Sequence, residues 1–131
     1  MKYSRPKIFF KDKRGSISDI FYKKNINHVA IIKSKKGALR GNHYHKKTTQ
    51  YTFVIDGKIR YYFKKKSAKK VSQIILKKGD LIKNNFNEIH AFKTISEKSV
   101  MLAITAGIRG GKDYEKDTFR VNSIIKRWKK Y

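Results

Sequence analysis

The chain has 131 residues, 39% of them hydrophobic, which suits one folded domain over residues 1–131, and its lack of cysteine excludes disulfides and thiolate chemistry. No apolar run is long enough to cross a bilayer and the first residues lack the apolar core of a signal peptide, so we expect a cytoplasmic protein with no membrane partner. The net charge of +25 comes mostly from lysines scattered through the loops, which argues against nucleic acid as the main partner and favours anionic ligands.

Short apolar segments separated by turn-forming residues occupy the first third of the chain. Apolar residues at 7–10 and 28–33 are each followed by Lys, Gly or Ser residues, at 11–16 and 34–37. Strands of this length and spacing are typical of a β-sandwich or a β-barrel. The sequence therefore predicts an all-β fold.

Two of the four histidines, His43 and His45, are separated by a single residue in a segment of β-type composition. Side chains two residues apart on a strand project from the same face. Two adjacent imidazoles repel each other when both are protonated, so the pair is interpreted as metal ligands, general acid/base groups or hydrogen-bonding groups in a polar cavity. The alternative is a pair without a function on a solvated strand face.

An Asp-Gly pair at positions 56 and 57 lies between two strand-like segments, 50–55 and 58–63. Both residue types tolerate positive φ, and this pattern predicts a tight β-hairpin. Later strands are predicted over residues 71–76, 88–92 and 99–105, the last of which is almost continuously apolar and should lie in the core.

The composition changes after residue 106. Segment 107–117 contains several of the few acidic residues and two adjacent glycines, and we expect a mobile or ligand-covering loop with solvated acids. The tail has Ile124, Ile125 and Trp128 at helical spacing, with Asn122 or Ser123 as a cap. This pattern predicts a short C-terminal amphipathic helix that packs on the barrel or on a partner subunit.

Two sets of spacings resemble the motif pair of the cupin superfamily, over residues 37–94. The first set is Gly37, His43, His45, Gln50 and Gly57, and the second is Gly79 and His90. The resemblance implies a small single-domain jelly-roll β-barrel in which these polar side chains converge. If a divalent ion such as Zn, Fe, Mn or Ni is bound, the resemblance implies that its ligands are His43, His45, Gln50 and His90.

The sequence departs from these motifs at three positions. Gln50 stands where the first motif usually has Glu, and Asn85 and Asn87 stand where the second usually has Pro and Gly. A neutral amide is a weaker ligand for a divalent ion than a carboxylate. We therefore expect no metal or other cofactor to be required.

A second resemblance covers residues 8–120 and is more specific. It rests on Asp12-x-Arg14-Gly15-Ser16, Arg40-Gly41-x-His43-x-His45-Lys46, Gln50 and Asp113-Tyr114-x-x-Asp117. These motifs resemble the cupins that act on nucleotide-linked deoxysugars, the 3,4-ketoisomerases and, more distantly, the 3,5-epimerases. The resemblance implies a metal-independent isomerase of a nucleotide-linked 4-keto-6-deoxysugar in surface-polysaccharide biosynthesis, working as a homodimer on a nucleotide-diphosphate sugar.

Under this interpretation His43 and His45 are the catalytic residues, because moving a ketone from C4 to C3 needs a base and a proton donor on one face of the sugar. The substrate-binding candidates are Arg40, Tyr44, Lys46 and Gln50. Two alternatives stay open at this point: a metal-binding cupin with a different activity, and a non-catalytic module that binds sugars or polyanions.

Overall fold

A computed structural model describes residues 1–108, 110–113 and 115–125. Within these ranges the chain forms strands and one 3₁₀ turn, Gly111–Asp113, and contains no helix long and apolar enough to cross a membrane. The strands are β1 (Lys2–Ser4), β2 (Ile8–Asp12), β3 (Gly15–Ser18), β4 (His28–Lys35), β5 (Leu39–Tyr44), β6 (Thr49–Asp56), β7 (Lys58–Lys65), β8 (Ser72–Lys77), β9 (Leu81–Asn84), β10 (Glu88–Thr94), β11 (Lys98–Ala106) and β12 (Phe119–Arg120).

Ten of these strands form two antiparallel five-stranded sheets. Sheet 1 has the order β1-β9-β6-β11-β4, and sheet 2 has the order β12-β5-β10-β7-β8. Strands that follow each other in the chain mostly belong to different sheets, which is the connectivity of a jelly-roll. The prediction of an all-β jelly-roll is confirmed, with two separate five-stranded sheets, and β2 and β3 form a further two-stranded sheet.

The apolar core fills one part of the space between the sheets. Its fully buried side chains include Val54, Tyr61, Ile82 and Leu76. Along β6 the inward residues change from Gln50 through Thr52 to Val54, so the interior becomes polar towards the start of this strand. The space between the sheets is therefore apolar around Val54, where burial stabilises the fold, and polar around Gln50 at the start of β6.

The predicted hairpin at Asp56 and Gly57 is wrong. β6 pairs with β9 and β11 in sheet 1, whereas β7 pairs with β8 and β10 in sheet 2. Gly57 has a φ of +83°, as the turn chemistry predicts, but the turn carries the chain from one sheet to the other. Both edges of each strand are already occupied, so the two strands cannot pair with each other.

The C-terminal helix is not found in residues 122–125, which form bends, and residues 126–131, including Trp128, lie outside the described part of the chain. Ile124 and Ile125 are each only 9% exposed and pack on the outer face of sheet 2 against Ile89 and Ala91. The main-chain N–H of Ile124 donates a hydrogen bond to the Asn42 side chain at 3.1 Å. Burial of the two isoleucines thus follows the prediction, although their conformation is not helical.

Candidate active site

Three imidazole rings lie together between the sheets. His43 on β5 is directly opposite His90 on β10, and His45 follows the end of β5. The ring centroids are 4.9 Å apart for His43 and His45, 4.8 Å for His43 and His90, and 5.4 Å for His45 and His90. Their exposed fractions are 7%, 2% and 0% for His43, His45 and His90. The alternative of a solvated His-x-His pair is therefore wrong.

A β-bulge brings Arg40 to the same face as His43. The pairing of β5 with β10 shifts between His90 and Ala91, and both Gly41 and Asn42 have positive φ. In a regular strand, residues 40 and 43 would point to opposite faces, but the extra residue restores the inward direction. A Cβ atom on Gly41 would lie 2.7 Å from the carbonyl oxygen of His90, so glycine permits the close approach of the two strands.

Arg40 and His43 line a cavity of about 290 Å³ between the sheets. Gln50 from sheet 1 and Arg120 from β12 add two further polar side chains, and Phe92 and Met101 form part of the apolar wall. Arg40 is exposed at the cavity and its Nε donates to the Ser34 hydroxyl of β4 at 2.9 Å. The cavity thus combines a buried imidazole, an amide and two guanidinium groups.

Hydrogen bonds fix the orientation of two rings. The Nδ1 atom of His45 lies 2.7 Å from the carbonyl oxygen of Asp117, and its Nε2 lies 3.2 Å from Gln50 Oε1. The Nδ1 atom of His90 lies 3.2 Å from the carbonyl oxygen of Glu88. Because carbonyl oxygens only accept, both Nδ1 atoms carry the proton in these contacts.

The same three histidines can also offer ring nitrogens to an ion. One nitrogen from each of His43, His45 and His90 lies within 4.8 Å of the others. Imidazole donors suit Zn, Ni or Fe, and the Gln50 oxygen next to His45 can serve as a fourth, neutral ligand. The residues therefore fit the metal-ligand set expected from the sequence, although two guanidinium groups line the adjacent cavity.

The expectation that the acids of segment 107–117 are solvated is wrong for Asp117, which is 5% exposed. Its carboxylate accepts main-chain hydrogen bonds from Lys46, Lys47 and Thr48 at 3.1, 2.9 and 2.7 Å. Burial raises the pKa of this carboxyl, but the hydrogen bonds from these N–H groups and the Thr48 hydroxyl lower the pKa below its usual range. Asp117 is therefore ionised at neutral pH.

Residues 10–119 match the family model of the polysaccharide biosynthesis C-terminal domain. The chain belongs to this family. No curated protein sequence matches the chain. The family match spans both motif regions and the three-histidine cluster, and it ends at Phe119, the first residue of β12.

The solved structures similar to this polysaccharide biosynthesis C-terminal domain include two 3,4-ketoisomerases and a 3,5-epimerase. A double mutant of the 3,4-ketoisomerase QdtA from Thermoanaerobacterium thermosaccharolyticum, in complex with TDP, has a TM-score of 0.75 and 22% identity, covering 92% of this chain and 86% of that one. A 3,4-ketoisomerase from Helicobacter canadensis has a TM-score of 0.77 and 20% identity, covering 92% and 90%. The 3,5-epimerase RmlC from Legionella pneumophila has a TM-score of 0.73 and 16% identity, covering 93% and 72%. At these identities the likeness shows the fold.

Two of the expected substrate-binding residues do not line the cavity of this family member. Tyr44 points to the outer face of sheet 2, where its ring stacks on Phe119 at a centroid distance of 5.3 Å. The Lys46 ammonium lies 4.2 Å from the centroid of the Phe119 ring. Arg40 and Gln50 do line the cavity, so the structure brings these two candidates to His43 and leaves Tyr44 and Lys46 on the other side of the sheet.

Sequence reasoning missed Arg120 and the buried position of Asp117. Arg120 pairs with His43 across the β5–β12 ladder, and its guanidinium lies 2.8 Å from Glu115 Oε1. Both residues lie more than 70 positions after the histidines they accompany, so no local pattern connects them. The late Asp-Tyr-x-x-Asp resemblance was the one sequence signal that pointed to Asp117.

Proposed function

We propose that the chain is a 3,4-ketoisomerase or epimerase that acts on a nucleotide-linked 4-keto-6-deoxysugar by acid/base proton transfer. The observation that carries the proposal is the buried imidazole cluster beside a cavity lined by Arg40 and Arg120. Family membership in polysaccharide biosynthesis supports the class of substrate. The similar QdtA ketoisomerase has also been solved with TDP-4-keto-6-deoxyglucose, which supports the same substrate class.

The cavity suits the sugar rather than the whole nucleotide sugar. Its volume of about 290 Å³ lies at the lower end for small-ligand sites, which hold roughly 300–1,000 Å³. The diphosphate then lies at the cavity mouth, where Arg40 and Arg120 are exposed. Guanidinium groups bind phosphate oxygens through paired hydrogen bonds, so these two residues are the proposed diphosphate contacts.

The proposed reaction moves protons without any redox partner. His43, which lines the cavity, removes the proton from C3 while His45 gives a proton to the C4 carbonyl oxygen, and the 3,4-enediol forms. His45 then takes the proton of the C3 hydroxyl, giving the C3 ketone, and His43 returns its proton to C4. The two ring centroids are 4.9 Å apart.

We expect the purified protein to exchange sugar protons with solvent when it is incubated in deuterium oxide with thymidine- and uridine-linked 4-keto-6-deoxysugars. Label at C3 of recovered substrate and at C4 of product, without label at C5, indicates the ketone shift. Label at C3 and C5 indicates epimerisation. NMR of the sugar ring distinguishes these results, and a binding signal without any label supports the non-catalytic alternative.

The alternative of a metal-dependent reaction has specific support in the three ring nitrogens and the Gln50 oxygen. We propose metal independence because these four ligands are neutral and two cationic guanidinium groups line the adjacent cavity, so nothing among them offsets the charge of a divalent ion. In the deuterium experiment, turnover should persist after the protein has been treated with a metal chelator. Turnover that disappears with the chelator and returns with one equivalent of Zn, Fe, Mn or Ni supports the metal enzyme.

We also propose that the chain forms a homodimer through the β2–β3 hairpin. This two-stranded sheet pairs with no other described strand, and all its residues are exposed. Phe9 is 78% exposed and Ile8 58% exposed. Since an isolated hairpin is marginally stable in water, a second copy is the proposed partner, with the outer face of edge strand β4, at Val29 and Ile31, as the docking surface.

Replacing Phe9 by serine is expected to weaken the dimer. Each copy loses about 2 kcal/mol of apolar burial, and the two losses add by symmetry to about 4 kcal/mol, so the dissociation constant rises roughly a thousandfold. Sedimentation velocity over a concentration series measures the change. Ile75→Ser removes a similarly exposed side chain from β8, on the other sheet, and should leave the dimer intact. A wild-type chain that is monomeric at all concentrations contradicts this proposal.

The cytoplasmic location and the exclusion of nucleic acid as the main partner stay predictions.

A further inference from the structure

Two described residues near the ends of segment 107–117, Ile108 and Asp117, contact the turn after His45. At one end of the segment, the main-chain N–H of Ile108 lies 3.3 Å from the Thr48 hydroxyl. At the other end, the Asp117 carboxylate accepts hydrogen bonds from three consecutive main-chain N–H groups, at positions 46–48. Thr48 is 1% exposed, and its main-chain hydrogen bond to the Asp117 carboxylate is buried.

Asp117, which holds this turn, also contacts His45, one of the two proposed catalytic histidines. The Asp117 carbonyl oxygen is 2.7 Å from His45 Nδ1, in a buried contact between residues 72 positions apart. Because the carboxylate and the carbonyl belong to one residue, fixing the carboxylate on the turn fixes where the carbonyl stands relative to the ring. A short contact of this kind requires Nδ1 to be the protonated nitrogen.

We propose that Asp117 is a positioning residue that holds His45 in the Nδ1–H form and directs its Nε2 atom towards Gln50. Only the expected effect of Asp117 on turnover depends on the proposed function; its effect on the His45 ring does not. With Nδ1 donating to the Asp117 carbonyl, Nε2 of the neutral ring lies 3.2 Å from the Gln50 amide and accepts from its N–H when the amide is turned.

The carboxylate is suited to this role because, at 5% exposure, it accepts three main-chain hydrogen bonds from the turn. An amide of the same shape offers one acceptor oxygen in place of two and no negative charge, so it cannot accept all three N–H groups of the turn equally. Asp117→Asn is therefore the substitution that weakens the anchor with the least change in volume.

Long-range proton–nitrogen NMR of the full chain reads the His45 tautomer directly, without substrate. In the wild type at about pH 8 we expect the Nδ1–H form, and in Asp117→Asn a mixture of the two tautomers. In turnover, kcat should fall roughly 10–100-fold with a much smaller change in KM, as for other residues that orient a catalytic group through hydrogen bonds. Glu97→Gln removes an equal charge from an exposed side chain and should match the wild type in both measurements.

If Asp117→Asn does not fold, Asp117→Glu retains the charge but shifts the carbonyl, and the same tautomer mixture is expected. An Nε2–H form of His45 in the wild type overturns the proposal, as does a wild-type spectrum and kcat in Asp117→Asn. Absence of turnover by the wild-type protein on every nucleotide sugar counts against the proposed function alone, because the NMR result decides the role of Asp117 independently.

Discussion

Replacing His43 by asparagine should lower the rate of sugar deuteration by about 10²–10⁴-fold, the range that a positioned general base contributes. The imidazole lines the cavity and is 7% exposed, so no water-exposed group can take over its position easily. Asparagine keeps a polar side chain but has no basic nitrogen near neutral pH. The measurement is the initial rate of label entry at C3, followed by NMR with saturating substrate.

His28→Asn is the matched control for this variant. His28 begins β4 and its Nδ1 lies 3.4 Å from the Thr105 hydroxyl, outside the three-ring cluster, so its loss should leave the rate within about threefold of the wild type. The thermal midpoint of both variants shows whether they fold. A His43→Asn rate equal to that of the control contradicts the acid/base assignment. Persistence of wild-type turnover after chelation separates proton transfer by the imidazole itself from its use as a metal ligand.

The buried histidines are the part of the site that sequence predicts best. Alternation along a strand places His43 and His45 on one face, and both are buried there. His90 was identified only through the spacing of the second cupin motif, and it lies opposite His43 on the neighbouring strand. Local periodicity and motif spacing are thus sufficient for these three histidines, although a bulge lies beside His90 and His45 follows the end of β5.

The errors arise where long-range pairing decides the outcome. Asp56 and Gly57 have hairpin chemistry, but their turn connects two sheets because each flanking strand already has two other partners. Arg40 was named correctly, but only from the motif resemblance, because the bulge that turns its side chain towards the cavity depends on the pairing of β5 with β10. Asp117 is buried because three N–H groups at positions 46–48 converge on it, and that contact exists only after the jelly-roll has formed.

Replacing Gly57 by alanine should destabilise the fold by about 2–5 kcal/mol. A positive φ disfavours any residue with a Cβ by about 1–2 kcal/mol, and forced overpacking typically adds about 1–3 kcal/mol. At Gly57 the added Cβ would lie 2.3 Å from the carbonyl oxygen of Lys98 and 2.9 Å from the Cα of Ser99, so main-chain atoms must move. Urea unfolding measures the change, and the thermal midpoint should fall by roughly 3–5 °C for each kcal/mol.

Gly37→Ala separates the two contributions to this loss. Gly37 has a φ of +82°, almost equal to the +83° of Gly57, but no atom lies within 4 Å of a Cβ added there. This variant should therefore lose only the conformational part, about 1–2 kcal/mol. The difference in free energy of unfolding between the two variants measures the contribution of the close contact between the turn at Gly57 and the start of β11. Equal losses would mean that the chain crosses between the sheets without this close approach, and that the constraint at Gly57 is its backbone angle alone.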